Sequence, residues 1–95
     1  MPLDQTTIAA ALQTLPGWFF EDDCIKVEYQ FQDFSAAFAF MTRVALAAEK
    51  CNHHPDWGNS WNRVMIALQS HDTATVTERD LALARQIHSI YQSTG

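Results

Sequence analysis

Residues 24–32 alternate between apolar and polar side chains without a break. The apolar positions are Ile25, Val27, Tyr29 and Phe31. The positions between them are Lys26, Glu28, Gln30 and Gln32. A repeat of two residues is the pattern of a β-strand that buries one face and leaves the other in water. The sheet that contains this strand therefore needs a covering layer on its apolar face.

Periodicity and chain breakers divide the rest of the chain into six further elements. Asp4 or Thr6 can cap a first helix, which runs to about residue 15. Asp33 can cap a long second helix, which runs to about residue 51 and must end before Pro55. The remaining strands and the last helix are expected at residues 18–21, 56–61, 63–70 and 77–92.

The resulting order is α-β-β-α-β-β-α. Strands that follow each other through short turns pair as hairpins, and hairpins give an antiparallel sheet. The sequence therefore predicts an α+β fold, in which three helices pack on one face of a four-stranded antiparallel sheet. With 95 residues, the chain is expected to form one domain over residues 1–95.

The long helix carries two apolar stripes. The first stripe consists of Phe34, Phe38, Met41, Ala45 and Ala48. The second stripe consists of Phe40, Val44 and Ala47. A helix that is apolar on two sides needs two packing partners. One is the sheet and the other is expected to be a second subunit, so we predict a homodimer or homotetramer.

Charge and hydropathy exclude several classes of protein. The net charge is −5 and the six basic residues are scattered, so direct nucleic-acid binding is not expected. No run of 18 apolar residues indicates a membrane span, and the first ten residues lack the pattern of a secretory signal. Cys24 and Cys51 lie far apart and fit two reduced thiols. Together these features favour a cytoplasmic protein.

Three of the four histidines lie between residues 49 and 80, where helices and strands end. Glu49 precedes His53 by four residues, so on a last helical turn the carboxylate could orient that imidazole. His54 precedes Pro55, which forces an extended backbone and turns its side chain elsewhere. His71 ends a strand and can complete a three-sided pocket. The candidates for a flat apolar wall are Trp18, Trp57 and Trp61.

Three interpretations of this cluster compete. A metal site is disfavoured because a structural zinc wants four ligands, typically in spaced pairs, and adjacent His53-His54 has no second pair. A lone histidine at a helix C-terminus is often structural, through the terminal carbonyls. Three histidines beside a carboxylate and aromatic rings favour acid–base catalysis instead.

Other polar residues nearby have simpler structural interpretations. Thr77 and Asp80 have the spacing of a variant capping box, so capping is as good an interpretation of Asp80 as chemistry. Asp72 can cap the loop after the strand. His88 is expected to be a surface or packing residue, and Cys51 has no adjacent base that would make it a nucleophile.

At these positions the chain resembles the pterin-4a-carbinolamine dehydratases. The family pattern is an ionisable residue, then His-His-Pro, an aromatic residue, a third histidine and an aspartate. It reads here as Glu49, His53-His54-Pro55, Trp61, His71 and Asp80. Residues 16–18, 31–34 and 38–50 also resemble family segments, so the resemblance spans nearly the whole chain.

The chain departs from that pattern at two places. Trp61 stands where the family commonly has tyrosine. The loop after His71-Asp72 usually carries glycine, but here it reads Thr73-Ala74-Thr75-Val76. If that loop needs a positive φ, its shape here is expected to differ.

The resemblance implies a hydro-lyase, a 4a-hydroxytetrahydropterin dehydratase. It would expel water from the 4a-carbinolamine and give quinonoid dihydropterin, which recycles the pterin cofactor of aromatic amino acid hydroxylases. The pterin is then the substrate, and no further cofactor or metal is expected. His53 and His71 would transfer protons, His54 would hold and polarise the substrate, and Glu49 would orient His53. The other residues implied in binding or orientation are Asn52, Pro55, Trp18, Trp57, Trp61, Ser70, Asp72 and Asp80.

The resemblance also leaves room for protein partners. An aromatic amino acid hydroxylase is one candidate partner. The alternative function, from a different class, is a non-catalytic dimerisation or assembly cofactor that binds another protein through the apolar helix. The intact set of three histidines favours the enzyme, because a pure scaffold has no physical need of it.

Overall fold

The computed structural model describes residues 1–94, and the last position of the expected domain, residue 95, lies outside them. Three helices and four strands follow each other in the predicted order. They are α1 (Gln5–Leu12), β1 (Phe19–Glu21), β2 (Cys24–Gln30), α2 (Phe34–Cys51), β3 (Asp56–Ser60), β4 (Arg63–Leu68) and α3 (Glu78–Thr94). Among the described residues, no helix is both long and apolar enough to cross a membrane.

The four strands form one antiparallel sheet in the order β1-β2-β4-β3. Strand β2 pairs with β4 so that Val27 faces Ile66 and Tyr29 faces Val64. All four of these side chains are buried. The alternation that predicted a one-sided strand therefore fills the core on one face, and the predicted fold class is confirmed.

Helix α2 lies against this apolar face of the sheet. Its buried residues are Ala37, Phe40, Val44 and Ala48. They repeat at three and four residues, as one face of a helix does. Ala48 therefore belongs to the core side with Phe40, and its assignment to the stripe through Phe34 was wrong. Phe34 and Phe38 of that stripe face outward and are about half exposed, whereas Met41 is partly buried against the core.

A hydrogen-bonded pair of aromatic residues crosses the core between β2 and the loop before β1. The indole Nε1 of Trp18 donates to the hydroxyl of Tyr29 over 2.9 Å, and both residues are buried. Burial raises the pKa of Tyr29 to about 12, so its hydroxyl stays protonated at neutral pH. His88 is half buried with Nδ1 3.5 Å from that hydroxyl, in agreement with the predicted packing role.

Several element boundaries differ from the predictions by one to three residues, and two of them have clear local reasons. Helix α1 begins at the predicted Asp4 cap, whose side chain accepts a bond from Thr7, but it ends at Leu12. The next residues form tighter bonds of three-residue spacing, such as Leu15 N to Leu12 O. Strand β4 ends at Leu68 rather than Ser70, and Ser70 instead makes an isolated bridge to Thr75.

Candidate active site

Asn52 determines where the histidine segment leaves helix α2. It adopts the left-handed conformation with φ 52° and ψ 42°, and its backbone N–H donates to the carbonyls of Ala48 and Glu49. Asparagine tolerates this conformation better than most residues. The helix therefore ends at Cys51, before His53. The predicted pairing of Glu49 with His53 is wrong for this reason, since the two do not share a helical turn.

His53 pairs instead with Asp80, in the first turn of α3. Its Nε2 lies 2.5 Å from Oδ1 of Asp80, and both side chains are nearly or fully buried. The other carboxylate oxygen of Asp80 accepts bonds from the hydroxyl of Ser70 and the backbone N–H of Thr77, each over 2.8 Å. The capping-box prediction for Asp80 is confirmed, and the same carboxylate also holds an imidazole.

This arrangement assigns different tasks to the two ring nitrogens of His53. A carboxylate accepts hydrogen bonds, so the nitrogen facing Asp80 is the one that carries hydrogen. In the neutral ring the other nitrogen, Nδ1, is then the basic one. It has no hydrogen-bond partner in the part of the chain that the structure describes. Asp80 thus fixes the orientation of the His53 imidazole, and Nδ1 remains able to accept a proton from a ligand.

His54 and His71 are held more loosely, at the protein surface. Nε2 of His54 lies 2.9 Å from Oε1 of Glu49, and both side chains are exposed. Nε2 of His71 lies 3.7 Å from Oδ2 of Asp56, with 72% of the histidine side chain exposed. Exposed pairs of this kind contribute little to stability. Both imidazoles can therefore exchange their carboxylate for a ligand at small cost.

The three histidines line one cleft of about 280 Å³. The full lining is Asn52, His53, His54, Gln69, His71, Asp72 and Arg79. Segments far apart in sequence thus converge as predicted: the end of α2, the extension of β4 and the start of α3. Of the other predicted site residues, Pro55 directly follows His54, and Ser70 lies beneath the cleft as a partner of Asp80.

Sequence reasoning missed two residues of the cleft, Gln69 and Arg79. Nη2 of Arg79 lies 2.6 Å from Oδ1 of Asp72, and this hydrogen bond lowers the pKa of Asp72 below its ordinary value. Asp72 therefore ties its loop to α3. The sequence did contain a signal for Arg79. A cation in the first turn of a helix interacts unfavourably with the helix dipole, so a nearby carboxylate that compensates it is expected.

The structure does not bring the three tryptophans into the cleft. Trp18 is buried beside Tyr29, and Trp57 is half buried against the core. Trp61 is exposed at the turn between β3 and β4. That turn is one five-residue strand away from His54, or about 16 Å at the usual rise. None of the three belongs to the cleft lining in the described part of the chain.

The loop after His71 keeps a positive φ although it has no glycine. Ala74 adopts φ 56°. The loop is held by a bond from Ser70 N to Thr75 O and by the hydroxyl of Thr73, which contacts the carbonyls of Ser70 and Thr75. These bonds impose a conformation that costs an alanine about 1–2 kcal/mol. The missing glycine thus leaves strain at Ala74.

Groups of three or more His, Cys, Asp or Glu side chains that could hold a metal ion are absent among the described residues. The carboxylates near the cleft each pair with a different cation or imidazole, as with Asp80 and His53 or Asp72 and Arg79. The donor set is thus arranged as separate pairs rather than as one coordination sphere.

Comparisons with known proteins point in one direction. The sequence profile of the family described as pterin 4 alpha carbinolamine dehydratase matches residues 1–90. A protein of Rhizorhabdus wittichii, provisionally named a pterin-4-alpha-carbinolamine dehydratase, is 52% identical over 91 residues and 94% of each chain. A protein of Synechococcus with the same provisional name is 48% identical over 88 residues, 93% of this chain and 95% of the other.

Two solved structures have the same fold. One is the crystal structure of a transcriptional coactivator/pterin dehydratase from Brucella melitensis, with a TM-score of 0.91 and 41% identity over 95% of this chain and 98% of the other. The other is a pterin dehydratase-like protein identified as a RuBisCO assembly factor in the alpha-carboxysome. It has a TM-score of 0.64 and 18% identity over 77% of this chain and 84% of the other, so that likeness concerns the fold alone.

Proposed function

Because this chain belongs to the pterin 4 alpha carbinolamine dehydratase family, we propose that it dehydrates a 4a-hydroxytetrahydropterin to quinonoid dihydropterin and water. The observation that carries the proposal is the single cleft that joins the buried His53–Asp80 pair to the exposed His54 and His71. Such a cleft can present both a proton donor and a proton acceptor to one substrate, because an imidazole serves in either role.

The reaction needs two proton movements and no redox step. The bond between C4a and its hydroxyl oxygen breaks, and the oxygen takes a proton from a general acid to leave as water. A ring nitrogen gives up its proton to a general base, and its electron pair forms the new C=N bond. Two positioned groups are therefore sufficient, and each typically contributes about 10²–10⁴-fold.

The geometry suggests a division of roles among the histidines. His53 is the base, because Asp80 holds its Nε2–H and leaves Nδ1 free. His71, exposed and weakly held by Asp56, supplies the proton to the leaving hydroxyl. His54 holds and polarises the substrate, with Glu49 rather than Asp80 as its orienting carboxylate. Asp80 replaces Glu49 as the residue that positions His53.

This proposal includes a place in metabolism and a requirement for no metal. The product is an oxidised pterin that a reductase must return to the tetrahydro form, as the cofactor of aromatic amino acid hydroxylases requires. We place this recycling in the cytoplasm.

Chelation with EDTA should leave the rate unchanged, since proton transfer by imidazoles uses no metal ion. A loss of activity with EDTA that zinc restores would contradict the mechanism.

The test is a steady-state assay on enzymatically generated 4a-hydroxytetrahydropterin, with the uncatalysed rate subtracted. His53→Ala and His71→Ala should each slow dehydration, by up to about 10²–10⁴-fold. The double variant should lose less than the product of the two single losses if the residues act as a unit. His54→Ala should raise KM more than it lowers kcat. His88→Ala, outside the cleft, is the control. Full activity of the His53 and His71 variants would exclude this function.

One observation favours a second function, protein binding through α2. Phe34, Phe38 and Leu46 are 49%, 57% and 69% exposed on this helix, and the rings of Phe34 and Phe38 lie 5.8 Å apart. Neighbouring exposed aromatic rings mark interaction surfaces. The partner would be a second copy of the chain or another protein. Binding of a protein partner by a chain without dehydratase activity would make this the primary function.

A further inference from the structure

A second groove, of about 600 Å³, lies at the opposite end of α2 from the histidine cleft. Its half-buried floor consists of Phe31, Ala36, His88 and Tyr91, and its exposed rim consists of one proline and three glutamines. The floor residues come from the end of β2, the first turn of α2 and the last turns of α3. Ala36 and Asn52, which lines the histidine cleft, are about 24 Å apart at the usual rise of a helix. This β2–α3 groove is therefore a separate site, and it has the size of a small-molecule pocket.

The buried hydroxyl of Tyr29 connects the core to the floor of this groove. It accepts the indole N–H of Trp18 over 2.9 Å, and Nδ1 of His88 lies 3.5 Å from it. Because the hydroxyl stays protonated and Trp18 can only donate, the hydroxyl hydrogen needs an acceptor. Among the described residues, the only side chain that offers one is His88. Its Nδ1 therefore accepts, and in the neutral ring the hydrogen is on Nε2.

This tautomer gives the groove a fixed hydrogen-bond donor. His88 is half buried and lines the groove. Since Nδ1 faces the buried hydroxyl, Nε2 on the far edge of the ring faces outward. Nε2 has no partner in the part of the chain that the structure describes. The donor is oriented before a ligand arrives, and such preorganisation favours a ligand with a matching acceptor.

The aromatic rings of the floor favour a flat apolar ligand. The rings of Phe31 and Tyr91 meet edge to face, with centroids 5.3 Å apart. Tyr91 also stacks on the buried Tyr29, with centroids 4.0 Å apart. These contacts hold both floor rings in place. A planar aromatic ligand can add a further ring contact of the same kind.

The charges around the groove disfavour an ionic ligand. Asp, Glu, Lys and Arg are absent from its lining in the described part of the chain. The carboxylate of Asp33 accepts the backbone N–H of Ala36 over 2.8 Å, so a negative charge already lies at this end of α2. An anion would be repelled by that carboxylate, and a cation would face the N–H of His88. The groove is therefore suited to an uncharged molecule.

We propose that the β2–α3 groove is a second binding site, for an uncharged planar aromatic molecule that carries a carbonyl acceptor. The ring packs against Phe31 and Tyr91, and the carbonyl accepts the Nε2–H of His88. At the rim, the side chains of Gln32 and Gln92 make no hydrogen bond among the described residues and can bind the remaining polar groups of the ligand. The site is independent of the reaction proposed for the histidine cleft.

The experiment is an NMR titration of the ¹⁵N-labelled chain with benzamide. Benzamide should shift the indole signal of Trp18 and the imidazole signals of His88, with a Kd on the order of 1 mM, while the imidazole signals of His53 stay in place. Benzoate has the same shape but a negative charge, and cyclohexanecarboxamide has the same amide but no planar ring. Each of these two molecules should bind about three- to tenfold more weakly than benzamide.

Three variants test where the ligand binds. Ala36→Leu fills part of the floor and should weaken benzamide binding about tenfold or more. Ala39→Leu is the matched control, because it makes the same change at an exposed position of α2 outside the groove, and it should leave the Kd unchanged. His88→Phe keeps a ring but removes the Nε2–H, and it should weaken binding about three- to tenfold, the usual yield of one hydrogen bond.

The titrations of the wild-type chain decide the inference even if a variant fails to fold. Absence of a shift at Trp18 and His88 at ten times the expected Kd would exclude the site. Equal affinity for all three molecules would exclude the proposed ligand class. Shifts confined to His53 and His71 would show that benzamide enters the histidine cleft instead, and the inference would then be wrong.

Discussion

The imidazole of His53, just beyond the C-terminus of α2, and the carboxylate of Asp80, in the first turn of α3, meet 2.5 Å apart in the protein interior. Asp80 also accepts the backbone N–H of Thr77 and the hydroxyl of Ser70. One carboxylate thus caps a helix, joins the β4 extension to α3 and fixes the orientation of a candidate catalytic base.

Asp80→Asn should therefore lower kcat by about 10²-fold or more, with little change in KM. The new amide can donate to Nε2 of His53, which would move the ring hydrogen to Nδ1 and remove the free base. ¹⁵N NMR of the imidazole should report this change of tautomer. Ser70→Ala is the control, because it removes one bond to Asp80 but leaves the imidazole contact. An Asp80→Asn variant with normal kcat would exclude the positioning role.

Tyr29→Phe should change how stability depends on pH. Burial raises the folded-state pKa of Tyr29 from 10.0 to about 12. A raised pKa adds stability that is fully present below pH 10 and is lost as pH rises toward 12. The variant should lose less stability than the wild type over that window, measured by urea unfolding. At pH 7 it should be about 1–3 kcal/mol less stable, because the buried N–H of Trp18 loses its acceptor. Parallel pH curves for the two proteins would contradict this.

Ala74→Gly should stabilise the protein by about 0.5–1 kcal/mol, the balance between relieved left-handed strain and the greater freedom of glycine in the unfolded chain. The positive φ at Ala74 is the reason. Ala82→Gly makes the matched control, since Ala82 is exposed in the interior of α3 and should lose about 1 kcal/mol. Thermal unfolding should show a higher melting temperature for Ala74→Gly and a lower one for Ala82→Gly. Equal losses would show that Ala74 carries no strain.

Phe38→Glu should shift the protein to a smaller assembly in light scattering at micromolar concentration. Phe38 is 57% exposed on the outward stripe of α2, where a charge would oppose burial against a second subunit. Ala39→Glu introduces the same charge at an exposed neighbouring position of α2 and should leave the assembly intact. A wild-type chain that is already monomeric would contradict the predicted dimer or tetramer.

The sequence allowed the fold to be predicted because its local signals agree with one another. Strict alternation marks β2, and the Asp33 cap followed by an apolar period marks α2. The Asp4 cap likewise marks the start of α1. These signals depend on residues close together in the chain, so they can be interpreted without knowledge of the tertiary structure.

The partners within the candidate site were less predictable, since they depend on one backbone angle and on long-range contacts. The prediction that Glu49 pairs with His53 needed helical geometry as far as His53, but the helix ends at Cys51 and Asn52 is left-handed. His53 then reached Asp80, which is 27 residues away in sequence. The bonds of Gln69 to two backbone carbonyls likewise leave no trace in the pattern of side chains.

The unequal burial of the histidines constrains how relatives of this chain can evolve. His71 is largely exposed and loosely paired, so its replacement would cost almost no folding free energy. Asp80 is fully buried with three partners, and its loss would leave buried donors unmet. A lineage that abandons chemistry for scaffolding is therefore free to discard His71 early, but selection for a folded protein alone will retain Asp80. The aspartate by itself is thus poor evidence of activity in a relative, whereas the exposed histidines are informative.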